Sequence, residues 1–370
     1  MTQDSPVAVN STTRRLLPEW APQQAVMLSW PGRDSDWASL YDTIEATFFI
    51  LAEVIARYQP VMITLSDEIT RRRVAQTLEH MGVPRHRLLL CVAPGDDTWA
   101  RDHGPLAVSD GDTLTLLDYR FTGWGGKFAA ERDNALNGEL QRQRLFAAPL
   151  ESCQPLVLEG GALESDGAGT LLTTRECLLN PNRNPQLDQA AVERHFRERL
   201  GVERMLWLDN GYLAGDDTDS HIDTLARFCD AQTIAYVRCD DPDDEHFEAL
   251  AAMEAELKAS RRPDGEPYRL IALPWPRPCF DPEDGHRLPA TYANFLIING
   301  AVLMPSYADP ADRHALAALA EAFPQRDIIP IDCRQVIRQH GSLHCLTMQL
   351  PVGALDVSAF GATTAEEKRI

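Results

Sequence analysis

A histidine and a nearby carboxylate mark the most chemically suggestive stretch of the sequence, the acidic run Gly215–Leu225. His221 and Asp223 lie two residues apart in it, so on an extended strand their side chains would point to the same face. A histidine beside a carboxylate is suited to moving protons and to holding a cation. A solvated acidic loop leading into a half-buried strand would explain the same residues, and an isolated His-x-Asp pattern favours that simpler interpretation. Three further stretches strengthen the catalytic interpretation.

Each of these stretches places one reactive side chain close to the beginning or the end of a predicted strand. Asp102 lies in the loop Asp96–Pro105 after a buried strand, where functional residues tend to collect. Glu159 precedes two glycines, which let the backbone approach closely. Cys345 follows a glycine-containing loop at the beginning of an alternating strand, where a thiolate can be reached. Taken singly, the three also fit a surface ion pair, a Gly-Gly turn and a core cysteine.

Strands and helices alternate along the chain in a way that would carry these stretches. The predicted strands are Ala25–Trp30, Val61–Leu65, Arg87–Val92, Leu114–Phe121, Leu156–Leu158, Thr170–Thr174, Arg204–Leu208, Thr224–Cys229, Thr233–Arg238, Tyr268–Leu273, Phe295–Ile298, Ala301–Met304, Asp327–Ile331 and Leu343–Leu350. The predicted helices are Trp37–Tyr58, Ser66–Met81 (with Ser66 as N-cap), Pro185–Leu200, Asp244–Lys258 and Pro310–Phe323. Asn299-Gly300 predicts a hairpin. Strand pairs therefore alternate with single helices, about once per ~70 residues if the chain is divided into five.

Composition argues against several classes of protein. The 370 residues carry a formal net charge of −20, which disfavours nucleic acid or an anionic membrane surface as a partner. The most apolar runs, Thr47–Ile55 and Asn294–Pro305, are too short to span a bilayer. The polar N-terminus lacks the apolar segment of a signal peptide. The eight cysteines show no Cys-x-x-Cys and no zinc-ligand spacing, so we expect reduced thiols, no metal site and a cytoplasmic protein.

The four reactive stretches belong to a longer series of motifs. In chain order these are Trp30-Pro31-Gly32-Arg33, Trp99-Ala100-Arg101-Asp102-His103-Gly104-Pro105, Gly123-Trp124-Gly125-Gly126-Lys127, Glu159-Gly160-Gly161, Leu171-Leu172-Thr173-Thr174, Cys177-Leu178-Leu179-Asn180-Pro181-Asn182-Arg183-Asn184-Pro185, Asp217-Thr218-Asp219-Ser220-His221-Ile222-Asp223 and Leu343-His344-Cys345. In order and spacing, the chain from Trp20 to Pro351 resembles the agmatine deiminase and bacterial peptidyl-arginine deiminase family of guanidino-group-modifying enzymes. Each motif alone is weakly to moderately specific, but the series is highly specific.

The resemblance implies a fold and a division of the chain. The family fold is the pentein, a five-bladed α/β propeller of pseudo-fivefold ββαβ units. Residues 19–360 would form one catalytic domain, residues 1–18 a polar N-terminal tail and residues 361–370 a C-terminal tail.

The resemblance also implies roles for the reactive side chains. Cys345 matches the nucleophile and His221 the general acid and base. Asp102 and Asp223 match the carboxylates that hold the guanidinium, and Glu159 matches the carboxylate that supports the histidine.

The chemistry of a guanidinium explains why this set of residues is needed. Resonance makes the central carbon a poor electrophile, so the group must be kept protonated and fixed in plane by paired carboxylates. A bound cation lowers the pKa of a neighbouring thiol and so favours the nucleophilic thiolate. An imidazolium can then protonate the departing ammonia, and the neutral imidazole can activate water against the thiouronium intermediate. No metal or organic cofactor is required.

The tail of the substrate is where the sequence leaves alternatives open. An amine tail calls for carboxylates and aromatic faces, whereas an arginine α-carboxylate calls for arginines. The expected tail-binding residues are Trp99, Asp217, Trp124 and Asp96, which favour agmatine. Ser220 and Gly341-Ser342-Leu343 depart from the commoner wording of the agmatine enzymes.

Arginine, a C-terminal peptidyl-arginine or another guanidino compound therefore remains an alternative substrate. Amidino transfer to an acceptor amine and non-catalytic binding of a cation are alternative functions. A homo-oligomer is an expectation carried over from relatives.

Overall fold

The computed structural model describes residues 14–360. Its strands are β1 (Arg14–Leu16), β2 (Gln23–Ser29), β3 (Val61–Leu65), β4 (Leu88–Val92), β5 (Leu106–Asp110), β6 (Thr113–Arg120), β7 (Leu150–Val157), β8 (Glu164–Ser165), β9 (Thr170–Thr174), β10 (Arg204–Leu208), β11 (Ala226–Asp230), β12 (Thr233–Val237), β13 (Arg269–Leu273), β14 (Cys279–Phe280), β15 (Arg287–Leu288), β16 (Leu296–Ile298), β17 (Ala301–Ser306), β18 (Asp327–Asp332) and β19 (Thr347–Pro351). Its α-helices are α1 (Tyr41–Tyr58), α2 (Glu68–His80), α3 (Ala100–His103), α4 (Gly123–Gly126), α5 (Glu131–Arg142), α6 (Arg175–Leu178), α7 (Gln189–Leu200), α8 (Phe247–Ala259) and α9 (Asp312–Ala322). Over the described residues, none of these helices has the length and apolar character needed to cross a membrane.

Five sheets share one connectivity. In each, two strands pair antiparallel, and the second pairs in parallel with a third strand that is reached through a helix, as parallel pairing requires. The five units are β19-β2-β3 with α1, β5-β6-β7 with α5, β8-β9-β10 with α7, β11-β12-β13 with α8 and β16-β17-β18 with α9. The predicted mixed α/β fold of ββαβ units is confirmed.

The first of these units contains both ends of the described chain. β19 pairs antiparallel with β2, and Thr347 lies opposite Leu28. Cys345 lies just before β19, and its carbonyl oxygen accepts a hydrogen bond from the Arg101 N–H (3.1 Å). The C-terminal pairing therefore brings the predicted nucleophile beside α3, the short helix that contains Asp102 where the sequence predicted a loop.

The helices pack through the apolar faces that their sequences predict. In α1 the side chains of Ile44, Phe48, Leu51 and Ile55 are fully buried in the largest apolar cluster, which also contains the inner residues of β2 and β3. The predicted Asn299-Gly300 turn joins β16 to β17, with Gly300 at φ 78°, a conformation that favours glycine.

Several local predictions differ from the structure. The N-cap of α2 is Asp67, not Ser66: its Oδ1 accepts the Thr70 N–H (2.9 Å), and an anionic acceptor is preferred at a helix N-terminus. His221 does not lie on a strand, because Ile222–Thr224 form a 3-10 turn. The helix α5 was not predicted, since its sequence is polar and its apolar face is narrow.

The predicted chain ends lie mostly outside the described residues. Residues 1–13 and 361–370 are outside them, so the structure says nothing about these parts of the two tails. Within the N-terminal tail predicted for residues 1–18, however, Arg14–Leu16 form β1, which pairs antiparallel with β5. The ladder hydrogen bonds, rather than apolar periodicity, define this strand.

Candidate active site

Four segments from different units converge on one buried site. His221 Nδ1 lies 3.6 Å from Asp102 Oδ1, and His221 Nε2 lies 4.0 Å from Glu159 Oε2. Cys345 Sγ lies 3.8 Å from Asp223 Oδ2. None of these five side chains is more than 3% exposed. The structure therefore brings together all five residues predicted to be catalytic.

Two glycines allow this close approach. A Cβ atom on Gly161 would lie 2.5 Å from His221 Nδ1 and 2.9 Å from Asp102 Oδ1. A Cβ atom on Gly160 would lie 2.2 Å from the carbonyl oxygen of Arg101. The Gly161 N–H also donates to Asp102 Oδ1 (3.0 Å). The turn after Glu159 thus packs against the reactive side chains themselves, as the Gly-Gly pair predicts.

The two carboxylates that are predicted to hold the guanidinium have different surroundings. Asp102 accepts the Trp124 indole N–H (2.9 Å), yet burial and the charge of Asp223 raise its pKa well above the usual value. Burial also opposes ionisation of Asp223, but hydrogen bonding to His344 (2.7 Å) and the charge of His344 lower its pKa. Asp223 Oδ1 has no hydrogen-bond partner among residues 14–360. The empty site therefore has one ionised carboxylate with an unpaired oxygen.

His221 is held without a hydrogen bond to either ring nitrogen within residues 14–360. Burial lowers its pKa to about 3, so the imidazole is neutral in the empty site. Both nitrogens are therefore available to accept or pass on a proton.

Cys345 is a protonated thiol in the empty site. Burial, together with the carboxylates of Asp223 and Asp102, raises its pKa well above the usual value. Its Sγ also lies 3.4 Å from Asn294 Oδ1, an acceptor for the thiol proton. A bound cation would reverse this electrostatic balance and favour the thiolate.

Glu159 is paired with an arginine that the sequence analysis missed. Arg183 Nε donates to Glu159 Oε2 (2.9 Å), and Arg183 Nη1 donates to Asp219 Oδ2 (2.6 Å). Burial raises the pKa of Glu159, although the charge of Arg183 opposes that shift. Arg183 lies in one of the motifs that resemble the family, but the sequence does not indicate that its partner is Glu159.

The site opens into a small pocket. Three of the four predicted tail-binding residues, Trp99, Trp124 and Asp217, line it together with Asp102 and Cys345. The sequence did not predict the other residues that line the pocket, which are Asp36, Asp97, Phe128, Thr218, Gln339, His340 and Gly341.

Asp96, the fourth predicted tail-binding residue, does not line this pocket. Its Oδ2 accepts the Arg132 N–H (2.7 Å), and it lies in a larger neighbouring cleft. The neighbouring Asp97 lines the pocket instead. The two carboxylate oxygens of Asp97 accept hydrogen bonds from the indole N–H groups of Trp37 (2.9 Å) and Trp99 (3.0 Å).

Two clusters of potential metal ligands occur among the described residues, each with ligand atoms within 4.8 Å of one another. They are Glu159-Cys177-His221 and Glu19-Glu164-His344. Every carboxylate in them is already paired with an arginine: Glu159 with Arg183, and both Glu19 and Glu164 with Arg227. The arginines supply the positive charge that a metal ion would bring.

Known proteins with similar sequences and folds act on guanidino groups. The agmatine deiminase of Pseudomonas fluorescens (strain SBW25) is 33% identical over 355 residues, which cover 90% of this chain and 94% of that protein. A solved C. jejuni agmatine deiminase with substrate bound has a TM-score of 0.85 and 36% identity, covering 93% of this chain and 97% of its own. A candidate arginine deiminase from Porphyromonas gingivalis has a TM-score of 0.86 and 50% identity, covering 93% and 100%.

Fold, site and relatives together define a hydrolase that acts on carbon–nitrogen bonds of guanidino compounds. The sequence pattern of the Porphyromonas-type peptidyl-arginine deiminase family matches residues 15–351. The chain belongs to this family, as the resemblance predicted.

Proposed function

We propose that the protein hydrolyses the guanidinium of agmatine to N-carbamoylputrescine and ammonia, through a covalent intermediate on Cys345. The observation that carries the proposal is a buried cluster of a thiol, an imidazole and two carboxylates, of which Cys345 and Asp102 line a pocket that also has acidic and aromatic residues. The relatives named as agmatine deiminases support it.

In the first step the guanidinium displaces the proton of Asp102 and binds between Asp102 and Asp223. The unpaired Oδ1 of Asp223 accepts one of its N–H groups. The added positive charge lowers the pKa of Cys345, and His221 takes the thiol proton because its imidazole is neutral beforehand. In this mechanism the imidazolium is made during the reaction and is not present in the empty site.

The covalent steps are the loss of ammonia and then the hydrolysis of the thiouronium intermediate. The Sγ–C bond forms, His221 returns its proton to one nitrogen, and the C–N bond breaks to release ammonia. Water attacks the thiouronium carbon while His221 takes its proton. The C–S bond breaks, His221 returns its proton to the sulfur, and the hydroxyl proton of the adduct restores the protonated form of Asp102 as the carbamoyl product leaves. Glu159, 4.0 Å from His221, would stabilise the transient imidazolium.

The pocket favours an amine tail over a carboxylate tail. Asp36, Asp97 and Asp217 line it, and none of the described lining residues is an arginine or a lysine. Trp99 and Trp124 supply aromatic faces for a cation. Arginine or a C-terminal peptidyl-arginine is the second candidate, favoured by the name of the family.

The setting of the reaction is part of the proposal. All eight cysteines are free, which suits a reducing compartment such as the cytoplasm, where agmatine hydrolysis would supply putrescine synthesis. Residues 19–360 would work as one catalytic domain, because the site draws on segments from Asp102 to Cys345. A homo-oligomer, expected from relatives, is part of the same proposal.

The test is ammonia release from purified protein that is offered agmatine and arginine separately. We expect release from agmatine, and none from the Cys345→Ser variant with unchanged thermal unfolding. Release from arginine alone would overturn the substrate, and an active Cys345→Ser variant would overturn the nucleophile. No release from any guanidine would favour a cation-binding protein, whereas release that requires an acceptor amine would indicate amidino transfer.

A further inference from the structure

A chain of buried contacts lies behind Asp223 and is not used in the proposed reaction. His344 Nδ1 lies 2.7 Å from Asp223 Oδ2, and His344 Nε2 lies 2.5 Å from Glu19 Oε2. The exposed fractions are 8% for Glu19, 1% for His344 and 0% for Asp223. One imidazole therefore connects the segment before β2 with a carboxylate of the active site.

A carboxylate oxygen lies at each ring nitrogen of His344, and Arg227 Nη2 also lies 3.0 Å from Nε2. A carboxylate can only accept hydrogen bonds, so both contacts are satisfied together only when both ring nitrogens carry a proton. The other charged groups of this cluster are three carboxylates and two guanidinium groups: Glu19, Glu164, Asp223, Arg101 and Arg227. Their sum is one negative charge, which a positive His344 cancels, and an uncancelled buried charge is costly.

This arrangement determines what Asp223 offers to a ligand. His344 occupies Oδ2, while Oδ1 has no partner among residues 14–360. Without His344, Asp223 would lose the hydrogen bond that holds Oδ2 and the positive charge beside it, and the carboxylate could rotate.

We propose that Glu19 and His344 are positioning residues, which keep Asp223 ionised and oriented toward the bound cation. The inference rests on the proposed function only in taking that cation to be a guanidinium. His344 does not touch the reacting atoms in this assignment; it acts through Asp223, and Glu19 acts through His344.

The electrostatics agree with this assignment. The titratable and charged groups around Asp223 are His344, His221, Asp102, Cys345, Arg227 and Arg101. Burial would raise the pKa of Asp223, and the hydrogen bond and charge of His344 are the main factors that lower it. Removal of Glu19 or His344 should therefore raise that pKa and favour protonated Asp223 at a higher pH.

The test measures how strongly the site prefers a planar cation, without depending on the natural substrate. Cys345 is alkylated by 2-chloroacetamidine, which is positively charged, or by 2-chloroacetamide, which is neutral and of similar size. In both cases the thiolate attacks the methylene carbon, the S–C bond forms and chloride leaves. The ratio of the two rates reports the grip of the carboxylates on the cation, since the bond changes are the same.

Two matched pairs of variants separate positioning from structure. Glu19→Gln and Glu164→Gln each remove one carboxylate from Arg227, but only Glu19 contacts His344. His344→Asn keeps a donor near the position of Nδ1, toward Asp223, whereas His344→Gln keeps one near Nε2, toward Glu19. Thermal unfolding is measured for every variant.

We expect Glu19→Gln and His344→Gln to lower the amidine-to-amide ratio by about tenfold or more, the scale of a charge-assisted hydrogen bond. Glu164→Gln should change it little, and His344→Asn should recover part of it. The acid limb of amidine labelling should move to higher pH in Glu19→Gln but not in Glu164→Gln. If Glu19→Gln does not fold, the two His344 variants decide the question.

Equal ratios and pH profiles for Glu19→Gln and Glu164→Gln would overturn the inference, as would equal ratios for the two His344 variants. A wild-type protein without preference for the amidine would overturn it as well. A wild type that prefers the amidine but releases no ammonia from agmatine would refute the proposed substrate and leave the inference supported by the variant ratios.

Discussion

Substitution of Gly161 by alanine tests directly whether the site depends on the close approach of this turn. The added Cβ atom would lie 2.5 Å from His221 Nδ1, and an ordinary contact begins at 3.4 Å. The imidazole or the turn must therefore shift by 3.4 − 2.5 = 0.9 Å, and Asp102, at 2.9 Å, must shift as well. Misplacement of catalytic groups by about 1 Å costs roughly a hundredfold in rate, or about 2.7 kcal/mol of barrier.

The assay is kcat/KM for ammonia release, measured together with urea unfolding. We expect Gly161→Ala to lose about a hundredfold in kcat/KM and about 1–3 kcal/mol of stability, the range for overpacking. Gly138→Ala is the control, because Gly138 lies within α5 and has nothing within 4 Å of its added Cβ atom. It should keep full activity and gain about 0.5–1 kcal/mol, since alanine favours helix. Gly161→Ala with kcat/KM within a few-fold of wild type would refute the proposed packing of the site.

Three further predictions follow from the site. Arg183→Gln removes the ion-pair partner of Glu159 and leaves a buried carboxylate unpaired. The free energy of unfolding in urea should therefore fall by about 3–5 kcal/mol. A decrease below ~1 kcal/mol would contradict the structural role of this ion pair. Cation binding should release a proton from Asp102, because the pKa of that carboxyl is raised before the cation binds. The affinity of the Cys345→Ser variant for agmatine should therefore rise with pH until Asp102 ionises. Calorimetry in two buffers of different ionisation enthalpy measures the proton release, and Asp102→Asn should abolish that release. Asp217→Asn should raise KM for agmatine several-fold and leave KM for butylguanidine, which lacks the amine, nearly unchanged; an equal effect on both would remove Asp217 from tail recognition.

Local patterns were enough to predict much of the fold. The strands Val61–Leu65, Thr170–Thr174 and Arg204–Leu208 begin and end at the predicted residues. Their apolar runs are short and are bounded by residues that end strands. Missed elements depend on partners elsewhere in the chain: β1 exists because it pairs with β5, and α5 buries only a narrow face. No periodicity in either segment indicates those partners.

The candidate site was predicted as a set of residues but not as a geometry. His221 and Asp223 were chosen for an alternation that does not exist, since a 3-10 turn follows His221. The family resemblance supplied the remaining assignments. Arg183 and His344 stood within its motifs, yet their partners lie 24 and 325 residues away in sequence, at Glu159 and Glu19. Likewise, Asp96 and Asp97 are equivalent candidates in the sequence, and the course of the backbone places Asp97 but not Asp96 in the lining of the pocket.

The two carboxylates that are proposed to bind the guanidinium differ because they have different hydrogen-bond partners. Among the described residues, the hydrogen-bond donors to Asp102 are the neutral N–H groups of Trp124 and Gly161, which do not offset burial and the charge of Asp223. Asp223 has His344, whose charge does offset burial. The empty site can therefore keep one proton on Asp102 and so avoid two adjacent buried negative charges. In the proposed mechanism an arriving guanidinium replaces that proton, and the same positive charge favours the Cys345 thiolate, so the nucleophile would be activated only when substrate is present.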